Sequence, residues 1–124
     1  DYEDLADSRF KGRICTRSGH HKYNVALFSS MIAKHGVVKA KKWLQGLKNN
    51  LARKPQGNDR GQVKAIFHGQ CDISLGNTYY MGKMLANKDQ RKWAASVGIF
   101  FPNQKNRGTH MNVSGGAITK SAKK

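Results

Sequence analysis

Twice in this chain a short apolar run ends in a polar turn and passes directly into a helical stripe. The first is "GRICTRSG", followed by "HHKYNVALFSSMIAKHG", where Val25, Leu27, Phe28, Met31 and Ile32 keep helical spacing. The second is "CDISLG", a turn at Asn77, and a helix expected from about Thr78 to Ala86. A strand that feeds a helix must cross over before it meets its neighbour, so such units build parallel sheets. Between them, Gly36 is expected to stop the first helix. A second helix follows in "VVKAKKWLQGLKNN", with Ala40, Trp43, Leu44 and Leu47 as its core stripe.

"ARKPQGND" is a loop, with Asp59 expected as the N-cap of a helix "DRGQVKAIFHG" that buries Val63, Ile66 and Phe67 and stops at Gly69. A short helix in "KDQRKWAASV" should lead into a strand "GIFFP", and "RGTHMNVSGGAITK" reads as extended. The expectation is one α/β layered domain over residues 1–124 with a mostly parallel sheet. Its 124 residues, 38% hydrophobic, suffice for one core.

Charge narrows the partners less than its size suggests. Lys and Arg number 23 against 7 Asp and Glu, a formal +16, which attracts anions of any kind. The basic residues are scattered, and no Arg-rich block, aromatic RNA-binding pattern or Cys/His finger accompanies them. A nucleic-acid-binding module therefore stands only as an alternative, and no nucleic-acid partner is expected. No apolar run reaches the roughly 20 residues of a membrane-spanning helix. The start at "DYEDLADSRFKGR", with neither Met nor a basic-then-apolar leader, favours a mature fragment or an excised domain. Cys15 and Cys71 form no CxxC motif. They either pair, if their strands are neighbours in an oxidising compartment, or remain buried thiols, and the sequence leaves both open. No Ser-His-Asp spacing stands out, and no catalysis is expected.

Ligands of open α/β sheets gather beyond the carboxyl ends of the strands. Three stretches reach that edge: "RSGHHKYN", "PQGND" and "GNTYY". Two of them carry tyrosines next to helix starts, Tyr23 in one and Tyr79 with Tyr80 in the other. A phenol, with its pKa near 10, is a poor ligand for most metals. Fe³⁺ is the exception, because its charge density displaces the phenolic proton and three phenolates would neutralise it. His20 and His21 read as ordinary polar surface.

"RSGHHKYNVALF", "ARKPQGND", "DISLGNTYYMGKML" and "RGTHMNVSG", in that order, resemble the periplasmic ferric ion-binding proteins, the substrate-binding components of bacterial ABC-type iron importers. The resemblance implies Tyr23, Tyr79 and Tyr80 as ligands of Fe³⁺. It implies the second, C-terminal lobe of a type II periplasmic-binding-protein fold, three-layered with helices on both faces of the sheet. Residues 109–124 would be a strand and tail returning toward the first lobe, which this chain does not contain. Some relatives hold a helper anion such as carbonate, for which Arg17, Ser18 and Asn77 match, with Asn58 a weaker match. The implied partners are the ferric ion, the first lobe and an inner-membrane ABC permease, and the implied place is the periplasm. A single lobe should hold iron weakly, or only after self-association. A lobe of the same fold for another anion, phosphate or a carboxylate, is the competing expectation.

Overall fold

The computed structural model describes residues 1–121. Two 3₁₀ turns, Glu3–Ala6 and Ser8–Phe10, lead into strand β1 (Ile14–Cys15). Then follow α1 (Lys22–Asn49), α2 (Asp59–Phe67), β2 (Ile73–Ser74), α3 (Tyr79–Ala86) and α4 (Arg91–Ala95). β1 and β2 pair in parallel, Ile14 opposite Ile73 and Cys15 opposite Ser74. A parallel bridge from Ile14 to Leu51 flanks β1 on its other side.

α1 is two helical stretches meeting at a kink. Gly36 sits there at φ 77°, ψ 162°, a conformation that no L-residue takes without strain, so the expected stop is real. The core stripe behaves as its spacing requires on the second stretch, where Ala40, Trp43 and Leu47 are buried. On the first stretch Leu27 and Met31 are buried, but Val25 and Ile32 lie at the margin of the face and are exposed.

The main core joins this helix to Ile14 and to Tyr2 of the N-terminal segment. The Trp43 indole N–H donates to the Tyr2 carbonyl at 2.8 Å, and Asn50 Nδ2 donates to the Leu5 and Asp7 carbonyls. The two segments approach so closely that a Cβ on Gly46 would lie 2.7 Å from Ala6 Cβ and 3.0 Å from its carbonyl oxygen. Gly46→Ala would gain about 0.5–1 kcal/mol of helix propensity. Overpacking against backbone costs about 1–3 kcal/mol, so a net loss of stability is expected, seen as a lower urea midpoint.

The N-terminal segment is also clasped by the loop after α4. Tyr2 N–H donates to Asn103 Oδ1 at 2.9 Å, and Asn103 holds a left-handed φ of 61°. Partial burial would raise the pKa of Glu3, but hydrogen bonds from Asn103 and Arg107, with His35 at 2.7 Å, hold it at about 2. A depressed carboxyl pKa means that the stabilisation is complete above the ordinary value of about 4.5 and is lost as pH falls towards 2. Glu3→Gln is therefore expected to flatten the stability-versus-pH curve between those limits, measured by denaturant melts.

Cys15 and Cys71 form a disulfide, with Cα atoms 5.9 Å apart, which decides the alternative left open by the sequence. With Ala65, and with Ala52 and Ile66 against it, the disulfide makes a second small core.

Several expectations change. The N-cap of α2 is Asn58, whose side chain accepts from Gly61 N–H at 2.9 Å, and Asp59 is the first helical residue. α2 buries Asp59, Gln62 and Ala65; Val63 and Ile66 are half-buried and Phe67 is exposed, because polar residues of this helix face the loops that it supports. Residues 98–102 are not a strand: the outer edge of β2 carries no ladder partner among the described residues, and Phe100 is 78% exposed. Residues 109–121 form no strand either, and Val113 is 91% exposed, for the same want of a neighbouring ladder. Residues 122–124, the end of the expected 109–124 tail, lie outside the described residues. Among the described residues the sheet is thus parallel as expected but only two-stranded.

Candidate functional site

Because β1 and β2 run parallel in register, the loops that follow them leave the sheet at the same edge. The first loop enters α1 at His21, whose Nδ1 accepts from Tyr23 N–H at 3.3 Å. The second enters α3 at Thr78. Tyr23 therefore stands in the first turn of α1, and Tyr79 and Tyr80 open α3. Two helix N-termini, that of α1 capped by His21 and that of α3 without a side-chain cap, bring their positive dipole ends to this edge.

The tertiary structure brings the phenols together there. The hydroxyls of Tyr23 and Tyr79, 56 residues apart in sequence, are 2.8 Å from each other. The ring of Tyr80 lies against that of Tyr79, with centroids 4.4 Å apart and planes tilted by 34°. Tyr79 is 47% exposed, and Tyr23 and Tyr80 are half-buried. Tyr23 and Tyr79 line a cleft of about 620 Å³ that also meets Asn77 and Asn112. Tyr80 lines the adjoining, mostly apolar groove beside Met81.

Hydrogen bonds with Tyr23 and Tyr80, then partial desolvation, raise the pKa of Tyr79 above the ordinary phenol value. These hydrogen bonds and the partial desolvation favour the neutral form of the Tyr79 phenol. The Arg17 guanidinium lies 5.4 Å and Lys22 Nζ 5.5 Å from the centre of the Tyr23 ring, and Lys83 Nζ lies 5.7 Å from that of Tyr79. Among the described residues no group of three His, Cys, Asp or Glu converges.

The histidines beside the site act otherwise. His21 is the cap of α1, its ring edge-on to Tyr23 at 4.7 Å. Partial desolvation and the nearby Arg17 and Lys22 lower its pKa, which suits a neutral ring whose Nδ1 is an acceptor. His20 is exposed.

Of the residues matched to an anion, Arg17 and Asn77 both converge on Asp59, and the other two do not join them. Arg17 Nη1 donates to Asp59 Oδ2 at 2.5 Å. Asn77 backbone N–H donates to Asp59 Oδ1 at 3.3 Å, and Asn77 Oδ1 accepts from Asn112 Nδ2 at 2.9 Å. Ser18 is exposed and its hydroxyl accepts from His20 N–H, while Asn58 is committed to its cap. Two organising residues escaped the sequence reading. Buried Asn24 donates through Nδ2 to Thr16 Oγ1, the Arg17 carbonyl and the Ser18 carbonyl, which ties the first loop to α1. Asp59 holds both loops at once. The "GND" turn before α2 was the one available signal for Asp59, and it pointed to a helix cap.

No protein-family model matches the chain. Iron uptake proteins A1 and A2 of Synechocystis sp. are 46% and 42% identical to it over 98% of its length. The chain spans about a third of those relatives, 34% and 36% of their lengths. The crystal structure of apo ferric ion-binding protein A from Pasteurella haemolytica superposes with a TM-score of 0.86 at 55% identity, covering 89% of this chain and 34% of that one. A Trichodesmium protein (IdiA, FutA) in complex with iron and citrate gives 0.86 at 44% identity, over 88% and 35% of the two chains.

Proposed function

We propose that this chain, a relative of the ferric ion-binding proteins over one third of their length, is their tyrosine-bearing lobe and takes Fe³⁺ through Tyr23, Tyr79 and Tyr80. The observation that carries this reading is the 2.8 Å contact between the Tyr23 and Tyr79 hydroxyls, with Tyr80 stacked alongside. Three ionised phenols there would match the charge of one ferric ion. The metal takes the place of the phenolic protons, which would otherwise hold the cluster neutral. The lobe binds and does not catalyse.

The rest of the reading concerns the longer protein. Its C-terminal lobe, with more strands and helices on both faces, would be completed by a first lobe closing over the iron. It would serve in the periplasm as the binding component of an ABC importer and deliver iron to the membrane permease. A single lobe offers fewer ligands and less exclusion of water, so its affinity falls well below that of the two-lobed form. Phosphate or carboxylate as the principal ligand is disfavoured, because Arg17 and Asn77 are already engaged by Asp59.

Ferric nitrilotriacetate titrated into the chain at neutral pH should produce a visible phenolate-to-iron charge-transfer band that saturates with protein concentration. A chain that stays colourless at millimolar iron would sink the reading.

A further inference from the structure

Iron binding leaves the largest electrostatic feature of the chain unused, because a formal charge of +16 repels a trivalent cation. That charge is concentrated on α1, whose 28 residues include six lysines and no acidic residue. Lys22, Lys34, Lys39, Lys41, Lys42 and Lys48 are all exposed. Among the described residues none of them enters a salt bridge. Four of the six, Lys34, Lys39, Lys41 and Lys42, lie close to the Gly36 kink. Glu3, which meets His35 of this helix at 2.7 Å, is itself neutralised by Arg107 at 2.6 Å.

In the middle of that positive region the surface turns apolar. Val37 is 65% exposed and Val38 82%, with Ile32 at 40% in the last turn before the kink. Ala40, Trp43 and Leu47 take the core face of the second stretch. Val38 stands on the opposite face with Lys41 and Lys42, its i+3 and i+4 neighbours. Helical side chains lean towards the N-terminus, so these two lysines reach back alongside the valines. An apolar knuckle ringed by ammonium groups complements an anionic layer with hydrocarbon beneath it.

We propose that the kink of α1 is a docking surface for an anionic lipid bilayer. Val37 and Val38 enter the headgroup layer, and Lys34, Lys39, Lys41 and Lys42 meet lipid phosphates. A nucleic acid fits this face less well. α1 carries no arginine, and Trp43, the aromatic ring of its second stretch, is buried, so bases have nothing there to stack on. From Tyr23 to Gly36 the helix advances roughly 20 Å, so docking and the tyrosine cleft do not compete. The surface is independent of which metal, if any, the cleft takes.

The test sediments the metal-free chain with vesicles of phosphatidylcholine, or of an equimolar mixture with phosphatidylglycerol, at physiological salt. Binding to the mixed vesicles alone is expected, weakening as salt rises. Lys41→Gln with Lys42→Gln should weaken it about tenfold or more. Val37→Ser with Val38→Ser should do the same through lost apolar burial. Lys88→Gln with Lys105→Gln, exposed but remote in sequence, should leave it within about twofold. Val38→Trp should add a blue-shifted emission that brominated lipid quenches, which adsorption by charge alone would not give. A wild type that ignores the mixed vesicles overturns the proposal, as does binding that survives both α1 double variants, or unquenched Val38→Trp emission. Equal affinity for duplex DNA, lost in the same lysine variant, assigns the face to nucleic acid and overturns it too. Circular dichroism checks folding; should a serine variant not fold, the wild-type comparison and Val38→Trp still decide.

Discussion

Tyr79→Phe is expected to remove most of the ferric charge-transfer band and to weaken iron binding by about 100-fold or more. Loss of a group that merely orients a metal ligand typically costs about 10- to 100-fold, and here an anionic donor would be lost outright. Tyr79 is the phenol that touches both of the others, through its hydroxyl to Tyr23 and through its ring to Tyr80. Its replacement should therefore cost more than that of Tyr80. The ring survives in Phe and the hydroxyl is at an exposed edge, so the urea midpoint should hardly move. Tyr23→Phe should behave like Tyr79→Phe, while His20→Ala, at an exposed loop position, should leave the band unchanged. An undiminished band in both Tyr→Phe variants would remove the phenols from the metal site.

Breaking the Cys15–Cys71 bond should cost about 2–4 kcal/mol of stability, more than any single side-chain change considered above. The bond closes a loop with a sequence separation of 56. In the chain-entropy account, such a loop restrains the unfolded ensemble by about 4 kcal/mol. Both cysteines are buried, and they staple β1 to the approach of β2, the pair of strands whose register aims the tyrosine loops. Cys71→Ser, or thiol reduction of the native chain, should lower the urea midpoint accordingly. It should also weaken iron binding, because the loops lose part of their common anchor. Coincident melts with and without thiol would contradict this.

The strand-turn-helix units were legible because they depend on neighbours in sequence. Gly36 declared its kink through its conformational freedom, and Ala40, Trp43 and Leu47 declared their shared face through spacing. The phenols were legible as candidates because each begins a helix that follows a strand. The strand expected at residues 98–102 was not legible in the same way. Alternation or apolarity gives a segment the capacity to pair, but pairing needs a second strand at its side, and none of the described residues provides one. Asp59 shows a further limit. A carboxylate before a helix reads as a cap, and only the folded positions of Arg17 and Asn77 turn it into a clasp.

The sequence by itself determined the parallel α/β character and the regions where helices start, and it singled out the three phenols as candidates, since these depend on local spacing and residue chemistry. Only the tertiary structure decided that Tyr23 and Tyr79 meet, that Cys15 pairs with Cys71, and that Arg17 and Asn77 are already engaged. Those outcomes follow from the parallel register of β1 and β2. It brings residues 56 positions apart within bonding distance, and no local pattern encodes that register.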